Sequence, residues 1–196
     1  NLFSLCLFAV LYRLVVVETG NTTRAKMTVW ILALFPTAFV LVWGYSESLF
    51  MTLTVIVFLA LKKENWKAVA FFACLAGLTR PTGTLIAVAV VTAPGFWNRA
   101  SDFKGRIERL TALIGGPLGV LAFVLWSNVE SERKWGPLTV QEEFRGGFTG
   151  PVRRLISGVR EILTLDPDGL HVVFAFSSFL LLMVVWKNLP KHYFFY

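Results

Sequence analysis

The sequence predicts an all-α protein, a polytopic bundle of transmembrane helices. Hydrophobic residues make up 56% of the 196, and the mean hydropathy is +0.65, which is too apolar for an ordinary soluble domain. Only 16% of the residues are charged, and they fall mostly between apolar runs. Those runs recur along the whole chain, so we expect 1–196 to form a single transmembrane domain.

We expect seven spans: 2–17, 27–43, 47–62, 67–79, 83–97, 109–128 and 170–187. The second and third are short against the roughly 20 residues that a helix needs to cross the hydrocarbon. The polar turn between them should therefore lie recessed in a cavity. Arg13, near the end of the first span, reads as a snorkelling side chain. Gly115, Gly116 and Gly119 in the sixth span should permit a kink or close helix packing.

The segment Phe35–Phe50, FPTAFVLVWGYSESLF, places Tyr45, Ser46, Glu47 and Ser48 between two apolar runs. A glutamate there is costly unless it faces water, a partner or a ligand. Three interpretations stay open: a polar hairpin between two helices, a ligand-facing site, and a contact between helices.

The segment Thr79–Gly83 separates the fourth span from the fifth. Proline removes a backbone donor and glycine frees the backbone, so we expect the helix to break here. Arg80 beside free amides at a helix start would suit a phosphate group. The alternative is a luminal turn whose arginine contacts lipid head groups.

A long polar segment, 129–169, precedes the last span. Within it, apolar residues from Val152 to Leu163 recur at helical spacing, and Arg153, Arg154 and Arg160 take the other face. Pro151 should start this amphipathic helix and Asp166-Pro167 should stop it. A helix of this kind is expected to lie along the membrane surface.

The distribution of basic residues among the loops predicts how the protein is oriented in the membrane. Loops 18–26, 62–67, 98–109 and 187–196 hold 11 of the 19 basic residues: Arg24, Lys26, Lys62, Lys63, Lys67, Arg99, Lys104, Arg106, Arg109, Lys187 and Lys191. Short basic loops face the cytoplasm. The Tyr45–Ser48 turn, the Thr79–Gly83 break and the amphipathic helix should therefore share the outer side.

The sequence fits nucleic-acid-binding, disulfide-bonded and metal-binding proteins less well. The net charge of +7 is not arranged as a basic groove interleaved with exposed aromatic residues, so no nucleic-acid partner is expected. Cys6 and Cys74 sit inside apolar runs and read as small buried hydrophobes, with no disulfide and no metal site. Because the chain starts at Asn1 without methionine and shows no signal peptide, we expect an internal piece of a longer membrane protein.

FPTAFVLVWGYSESLF followed by LAGLTRPTG resembles the PIG-V-like mannosyltransferases, relatives of GPI mannosyltransferase 2 within the GT-C class of membrane glycosyltransferases. The later WGPL at Trp135–Leu138, Gln141 and the closing LPKHYFFY are also similar to bacterial and archaeal members. The resemblance implies transfer of mannose from a polyprenyl- or dolichyl-phosphate carrier to an acceptor on the extracytoplasmic or luminal face, in a prokaryotic plasma membrane or, in a eukaryote, the endoplasmic reticulum.

The resemblance also implies residue roles. Glu47 would support catalysis, and the substrate would contact Tyr45, Ser46, Thr79, Arg80 and Gln141. The principal catalytic aspartate of the class lies in the first outer loop, which would precede Asn1. The lipid-phosphate-linked donor would be a substrate, and no metal ligand is assigned.

Two other functions remain open. A transporter or flippase would line a substrate path with the broken span, but it should contain an internal repeat, and the polar turn and proline break do not recur. A non-catalytic membrane subunit would use Glu47 and Arg80 only to hold helices together.

Overall fold

Every element in the described part of the chain is helical, which confirms the all-α prediction. The computed structural model describes residues 2–43, 45–97, 102–130, 151–163, 170–185 and 190–194. Their contacts divide them into two units, one ending at Trp126 and the other beginning at Ser127. The helices are α1 (Leu2–Thr19), α2 (Thr22–Leu34), α3 (Phe39–Val42), α4 (Glu47–Lys62), α5 (Trp66–Thr79), α6 (Ile86–Thr92), α7 (Phe103–Glu130), α8 (Pro151–Leu163), α9 (Leu170–Val185) and α10 (Lys191–Phe194), with a 3-10 helix over Pro81–Leu85.

Two of these helices, α1 and α7, are long and apolar enough to cross a membrane. Helix α5, the segment Pro81–Thr92 and the segment Val172–Val184 of α9 are apolar but shorter. All side chains from Val173 to Val184 are exposed, and a helix that is apolar on every side is one that a protein core or a membrane normally covers.

The helices of the first unit alternate in direction. Thr52 of α4 donates to the Phe3 carbonyl at 3.1 Å, and Lys62 at the other end of α4 pairs with Glu18 at 3.0 Å. Helices α1 and α4 therefore run parallel and pack on each other; α2 runs back after α1, and α5 runs back after α4. The largest fully buried side chains of this unit are Leu7, Val57, Val69, Ile86 and Val90.

The predicted span 27–43 is wrong as a single helix. Helix α2 begins earlier, at Thr22, because the Asn21 side chain accepts from the Arg24 amide at 3.0 Å. It ends at Leu34, and Phe35 is extended at ψ 137°, the conformation that a following proline imposes. Only the single turn α3 continues toward Gly44.

The predicted span 83–97 also needs correction. The chain leaves helical geometry at Arg80 alone, with φ −151° and ψ 142°, and resumes at Pro81 as a 3-10 helix that leads into α6. Helix α6 stops at Thr92, and the residues that follow form turns. The predicted break within Thr79–Gly83 is confirmed at Arg80, and Gly83 lies inside the 3-10 helix, where it allows close approach: a Cβ atom there would lie 2.6 Å from the Gly77 Cα.

The predicted span 109–128 is longer in the structure, since α7 begins at Phe103 and ends at Glu130. Arg109 is consequently not a loop residue: it is buried within α7. Its Nη1 donates to the Phe96 carbonyl at 2.9 Å, and its guanidinium lies 5.9 Å from the centre of the Trp66 ring. It still lies at the same end of the unit as the Lys62–Lys67 loop.

The glycines of α7 mediate close packing, one of the two roles predicted for them. Gly115 lies against the Ala70 carbonyl of α5, and Gly119 against the Cys74 carbonyl. Gly116 lies between Gly77 of α5 and Gly83 of the 3-10 helix, where a Cβ atom on any of the three would overlap the backbone of another. Three glycines meeting in this way let the backbones of three segments touch.

In the second unit, the predicted amphipathic helix is present as α8. Arg153 and Arg160 are exposed, and so are Ile156 and Val159. Gly158 is buried, and a Cβ atom added there would collide with the Val172 side chain of α9. The proposed stop at Asp166-Pro167 lies outside the described residues, and the position of α8 along a membrane surface stays a prediction.

Candidate functional site

Glu47 and Arg80 form an ion pair, although 33 residues separate them in the chain. Glu47 is the first residue of α4, where the positive end of the helix dipole favours a carboxylate. Arg80 lies in the extended break after α5. Its Nη1 donates to Glu47 Oε1, and the two side chains remain 37% and 27% exposed for Arg80 and Glu47, respectively. The structure thus brings together two of the residues singled out in the sequence.

The second carboxylate oxygen of Glu47 is not satisfied. Oε2 is buried and has no hydrogen-bond partner among the described residues. Buried polar atoms almost always have a partner, so an unpaired carboxylate oxygen indicates a position for water or for a ligand donor. Glu47 is therefore held through one oxygen, and its other oxygen is buried without a partner among the described residues.

A cleft of about 320 Å³ adjoins Glu47. Its wall is mostly apolar and comes from the end of α2, the following turn, α3 and the first turns of α4: Leu32, Phe35, Thr37, Ala38, Val40, Leu41, Glu47 and Met51. A largely apolar pocket with a few polar groups is the usual form of a small-molecule site.

Two hydroxyl groups, missed in the sequence analysis, hold the elements around this cleft. Ser4 of α1 is buried and donates to the Leu41 carbonyl of α3, which is too short to satisfy its own carbonyls. The Thr52 hydroxyl of α4 lies 2.6 Å from the Ser48 carbonyl oxygen and 3.1 Å from the Phe3 carbonyl oxygen, and its single proton is shared between them. The sequence signal was a hydroxyl residue inside an apolar run.

The other residues predicted to contact the substrate are not hydrogen-bonded to the Glu47–Arg80 pair. Tyr45 is exposed, with its ring stacked on Trp43 at 6.5 Å between centroids, and Ser46 is exposed and makes no capping bond. Thr79 donates back to the Ala76 carbonyl of its own helix at 2.7 Å. Gln141 and Trp135–Leu138 lie outside the described residues. The ion pair thus receives no hydrogen bond from Tyr45, Ser46 or Thr79.

No cluster of three or more histidine, cysteine, aspartate or glutamate side chains occurs in the part of the chain that the structure describes. Cys6 and Cys74 are both free thiols. The described site therefore consists of a carboxylate, a guanidinium and an apolar cleft.

The opposite end of the first unit is basic. There, Lys62 pairs with Glu18, Lys67 pairs with Glu108 at 3.5 Å, and the Trp66 ring contacts Phe96. Other basic residues carried by the same helix ends and turns are Lys63, Lys104, Arg106 and Arg109. We call this the basic end, and the end with Glu47 and Arg80 the site end.

Comparison with known proteins finds no family model, no curated protein and no solved structure that matches this chain.

Proposed function

We propose that this protein is an integral-membrane glycosyltransferase that moves a sugar, typically mannose, from a polyprenyl- or dolichyl-phosphate carrier to an acceptor on the extracytoplasmic or luminal face. The observation that carries the proposal is the Glu47–Arg80 ion pair beside an apolar cleft, at the end of the unit away from the basic loops. A lipid-linked sugar phosphate needs a cation for its phosphate and apolar surface for its chain.

Arg80 would hold the carrier phosphate. A guanidinium has five N–H donors, and the recorded bond to Glu47 uses one nitrogen, Nη1, so other N–H groups are available for phosphate oxygens. During transfer, the acceptor oxygen bonds to the anomeric carbon of the sugar while the bond from that carbon to the phosphate oxygen breaks. The lipid phosphate leaves with the electron pair, and the acceptor proton passes to a carboxylate base. Arg80 would stabilise the charge that develops on the departing phosphate.

The proposal requires a multi-pass protein in the membrane, and we place it in a prokaryotic plasma membrane. Its support is the pair of membrane-length helices α1 and α7, the exposed apolar helix α9 and the segregation of basic residues to one end. Short basic loops remain in the cytoplasm during insertion. The site end would then face outward, where lipid-phosphate sugars are used.

This orientation predicts a labelling pattern. In a protein whose Cys6 and Cys74 are replaced with alanine, a cysteine at the exposed Lys63 should resist an impermeant thiol reagent in intact cells. A cysteine at the exposed Thr82 should react, because it lies beside Arg80 at the site end. Permeabilised cells supply the control, since both cysteines should then react. Labelling of Lys63→Cys in intact cells, with Thr82→Cys protected, would reverse the orientation and remove the proposed function.

The activity itself is tested with the full-length protein in membranes and a polyprenyl-phosphate mannose donor. Arg80→Lys retains the charge but loses the planar fork that binds phosphate through two bonds. Loss of one charge-assisted hydrogen bond costs about 1.5–3 kcal/mol, so we expect transfer to fall roughly ten- to a hundredfold at equal expression. Arg106→Lys, an exposed change at the basic end, should leave the rate unchanged.

Near wild-type transfer by both Arg80→Lys and Glu47→Gln would contradict the proposal for this site. The ion pair would then serve as a structural link between α4 and the break after α5, as expected for a non-catalytic subunit.

A further inference from the structure

Helix α2 has a largely exposed apolar face. Its residues recur at the spacing of one side of a helix, and each is more than half exposed: Met27, Trp30, Ile31 and Leu34. The opposite side of α2, which includes the buried Ala25, packs on α1, and α1 is long enough to cross a membrane. Because α2 runs back beside α1, its apolar face lies at the depth that lipid chains occupy around a membrane-spanning α1.

Two cations flank this face in the first turns of α2, at the basic end of the unit. With about 100° of rotation per residue, Arg24 lies about 70° to one side of the middle of the face and Lys26 about 90° to the other. Both are exposed, and neither forms an ion pair with any residue that the structure describes. No acidic residue occurs in the chain between Glu18, which pairs with Lys62, and Glu47 at the site end. The positive charge at the start of α2 is therefore not neutralised locally.

An apolar face between two cations is complementary to an anionic phospholipid. A free phosphate would leave the apolar face uncovered, whereas a hydrocarbon chain buries it. A zwitterionic head group brings a cation of its own, which Arg24 and Lys26 would repel, and an anionic head group does not. The chains of one leaflet extend about 15 Å, half the hydrocarbon thickness, and the rise from Lys26 to Leu34 is about 12 Å. The face and its two cations thus match the chain and the head group of one lipid molecule.

We propose that α2 binds an anionic phospholipid of the cytoplasmic leaflet, with the head group between Arg24 and Lys26 and an acyl chain along the apolar face. Thr23, exposed just above that face, supplies a hydroxyl that donates to the lipid phosphate. The site uses neither Glu47 nor Arg80. It rests on the membrane placement of α1 and α2 that belongs to the proposed function, and it is independent of sugar transfer.

Photocrosslinking in nanodiscs tests this binding. The full-length protein is placed in phosphatidylcholine nanodiscs that contain a small fraction of a probe lipid with a diazirine in the middle of one acyl chain. The probe is phosphatidylglycerol in one sample and phosphatidylcholine in the other, and mass spectrometry measures the labelling of α2. A basic residue near an anionic lipid contributes a preference of about fivefold, so with two such residues we expect phosphatidylglycerol to label α2 at least about tenfold more. Salt at about 1 M, where the Debye length is about 3 Å, should reduce this preference to about threefold or less.

Matched pairs of substitutions identify the cations that select the lipid. Arg24→Gln combined with Lys26→Gln should bring the labelling of α2 by the two probes to within about twofold, because both charges are lost. Lys104→Gln combined with Arg106→Gln removes the same charge, at the same spacing, from exposed positions on α7 at the same end, and should keep the preference. Arg24→Lys combined with Lys26→Arg conserves both charges and should keep it too. If the glutamine pair on α2 fails to fold, Lys26→Gln alone should lower the preference about fivefold.

Three results would overturn the proposal. Equal labelling of α2 by the two probes would mean that the cations do not select the head group. An equal loss of preference in the α7 pair would mean that the basic end as a whole attracts the lipid. Absence of labelling by both probes, or a disulfide between two copies of Ile31→Cys in a protein without Cys6 and Cys74, would mean that protein covers the face.

The proposed function fails separately from this site. Selective labelling of α2 without any sugar transfer would remove the enzyme and keep the lipid site. Transfer without selective labelling would remove the lipid site and keep the enzyme.

Discussion

Replacement of Gly116 with leucine should strongly destabilise the first unit. A side chain at this position would overlap the backbone of Gly83, and Gly77 of α5 lies directly against the Gly116 carbonyl. Backbone atoms cannot rotate away as a side chain can, so α7 would have to separate from both neighbours. Overpacking in a core usually costs about 1–3 kcal/mol, and because three backbones are forced apart we expect about 3 kcal/mol or more.

The measurement is the yield of monodisperse protein in mild detergent and its thermal unfolding midpoint. The matched control is Ala122→Leu, which adds the same side chain at an exposed position of the same helix and should leave both quantities close to wild type. Gly77→Leu should fail as Gly116→Leu does, since it blocks the same crossing from the α5 side. A Gly116→Leu protein as stable as Ala122→Leu would show that α5, the 3-10 helix and α7 do not cross where the structure places them.

Removal of either partner of the Glu47–Arg80 pair should destabilise the protein, and removal of both should cost less than the sum. Arg80→Ala leaves a partly buried carboxylate with neither oxygen paired, and Glu47→Ala leaves the guanidinium without its bond. A hydrogen bond between charged groups contributes about 1.5–3 kcal/mol, so each single change should lower the free energy of unfolding by that amount. In the double variant no charge is left behind, and residues in contact are not additive.

A double-mutant cycle from chemical or thermal unfolding in detergent measures this coupling. Lys67 and Glu108 supply the comparison, because they form an ion pair at 3.5 Å in which the lysine is 71% exposed. Exposed pairs contribute about 0–1 kcal/mol, so that cycle should give a much smaller coupling energy. Equal coupling energies in the two cycles would mean that the pair at the site end is an ordinary surface contact.

The stability cycle and the transfer assay separate two roles of Arg80. Arg80→Lys keeps a cation beside Glu47, so it should lose less stability than Arg80→Ala, yet it should still lose most of the transfer activity. If the ion pair were only a structural link, activity would follow stability in both variants. Comparing the loss of transfer activity with the loss of stability in each variant therefore distinguishes phosphate binding from a purely structural link between helices.

Local interactions determined much of the fold. The apolar runs predicted helices, and helices occur at all of those runs that the structure describes. Helix starts at Thr22 and Trp66 follow from capping by Asn21 and Asn65, whose side chains accept from amides three residues ahead. The break at Phe35-Pro36 was also readable from the sequence, because proline disfavours helix at the residue before it; the long apolar run around it led to a single predicted span.

The alternation of basic and polar turns predicted that Glu47 and Arg80 share one end, and their contact agrees with that prediction. This shared end follows from the direction of the chain: because successive helices run in opposite directions, alternate turns lie at the same end. Whether the two residues bind substrate stays a prediction, as do the roles of Tyr45, Ser46, Thr79 and Gln141.

Only the tertiary structure decided the rest. Arg109 appears in the sequence as one more basic residue before a span, yet it is buried against Trp66 and the Phe96 carbonyl. Ser4, Gly83 and Gly116 likewise gain their roles from segments 37, 6 and 33 residues away, at Leu41, Gly77 and Gly83, respectively. The unpaired Oε2 of Glu47 and the apolar cleft beside it exist only after α2, α3 and α4 have packed together. Periodicity and capping act over a few neighbouring residues, whereas burial, close backbone approach and an unsatisfied atom depend on which distant surfaces meet.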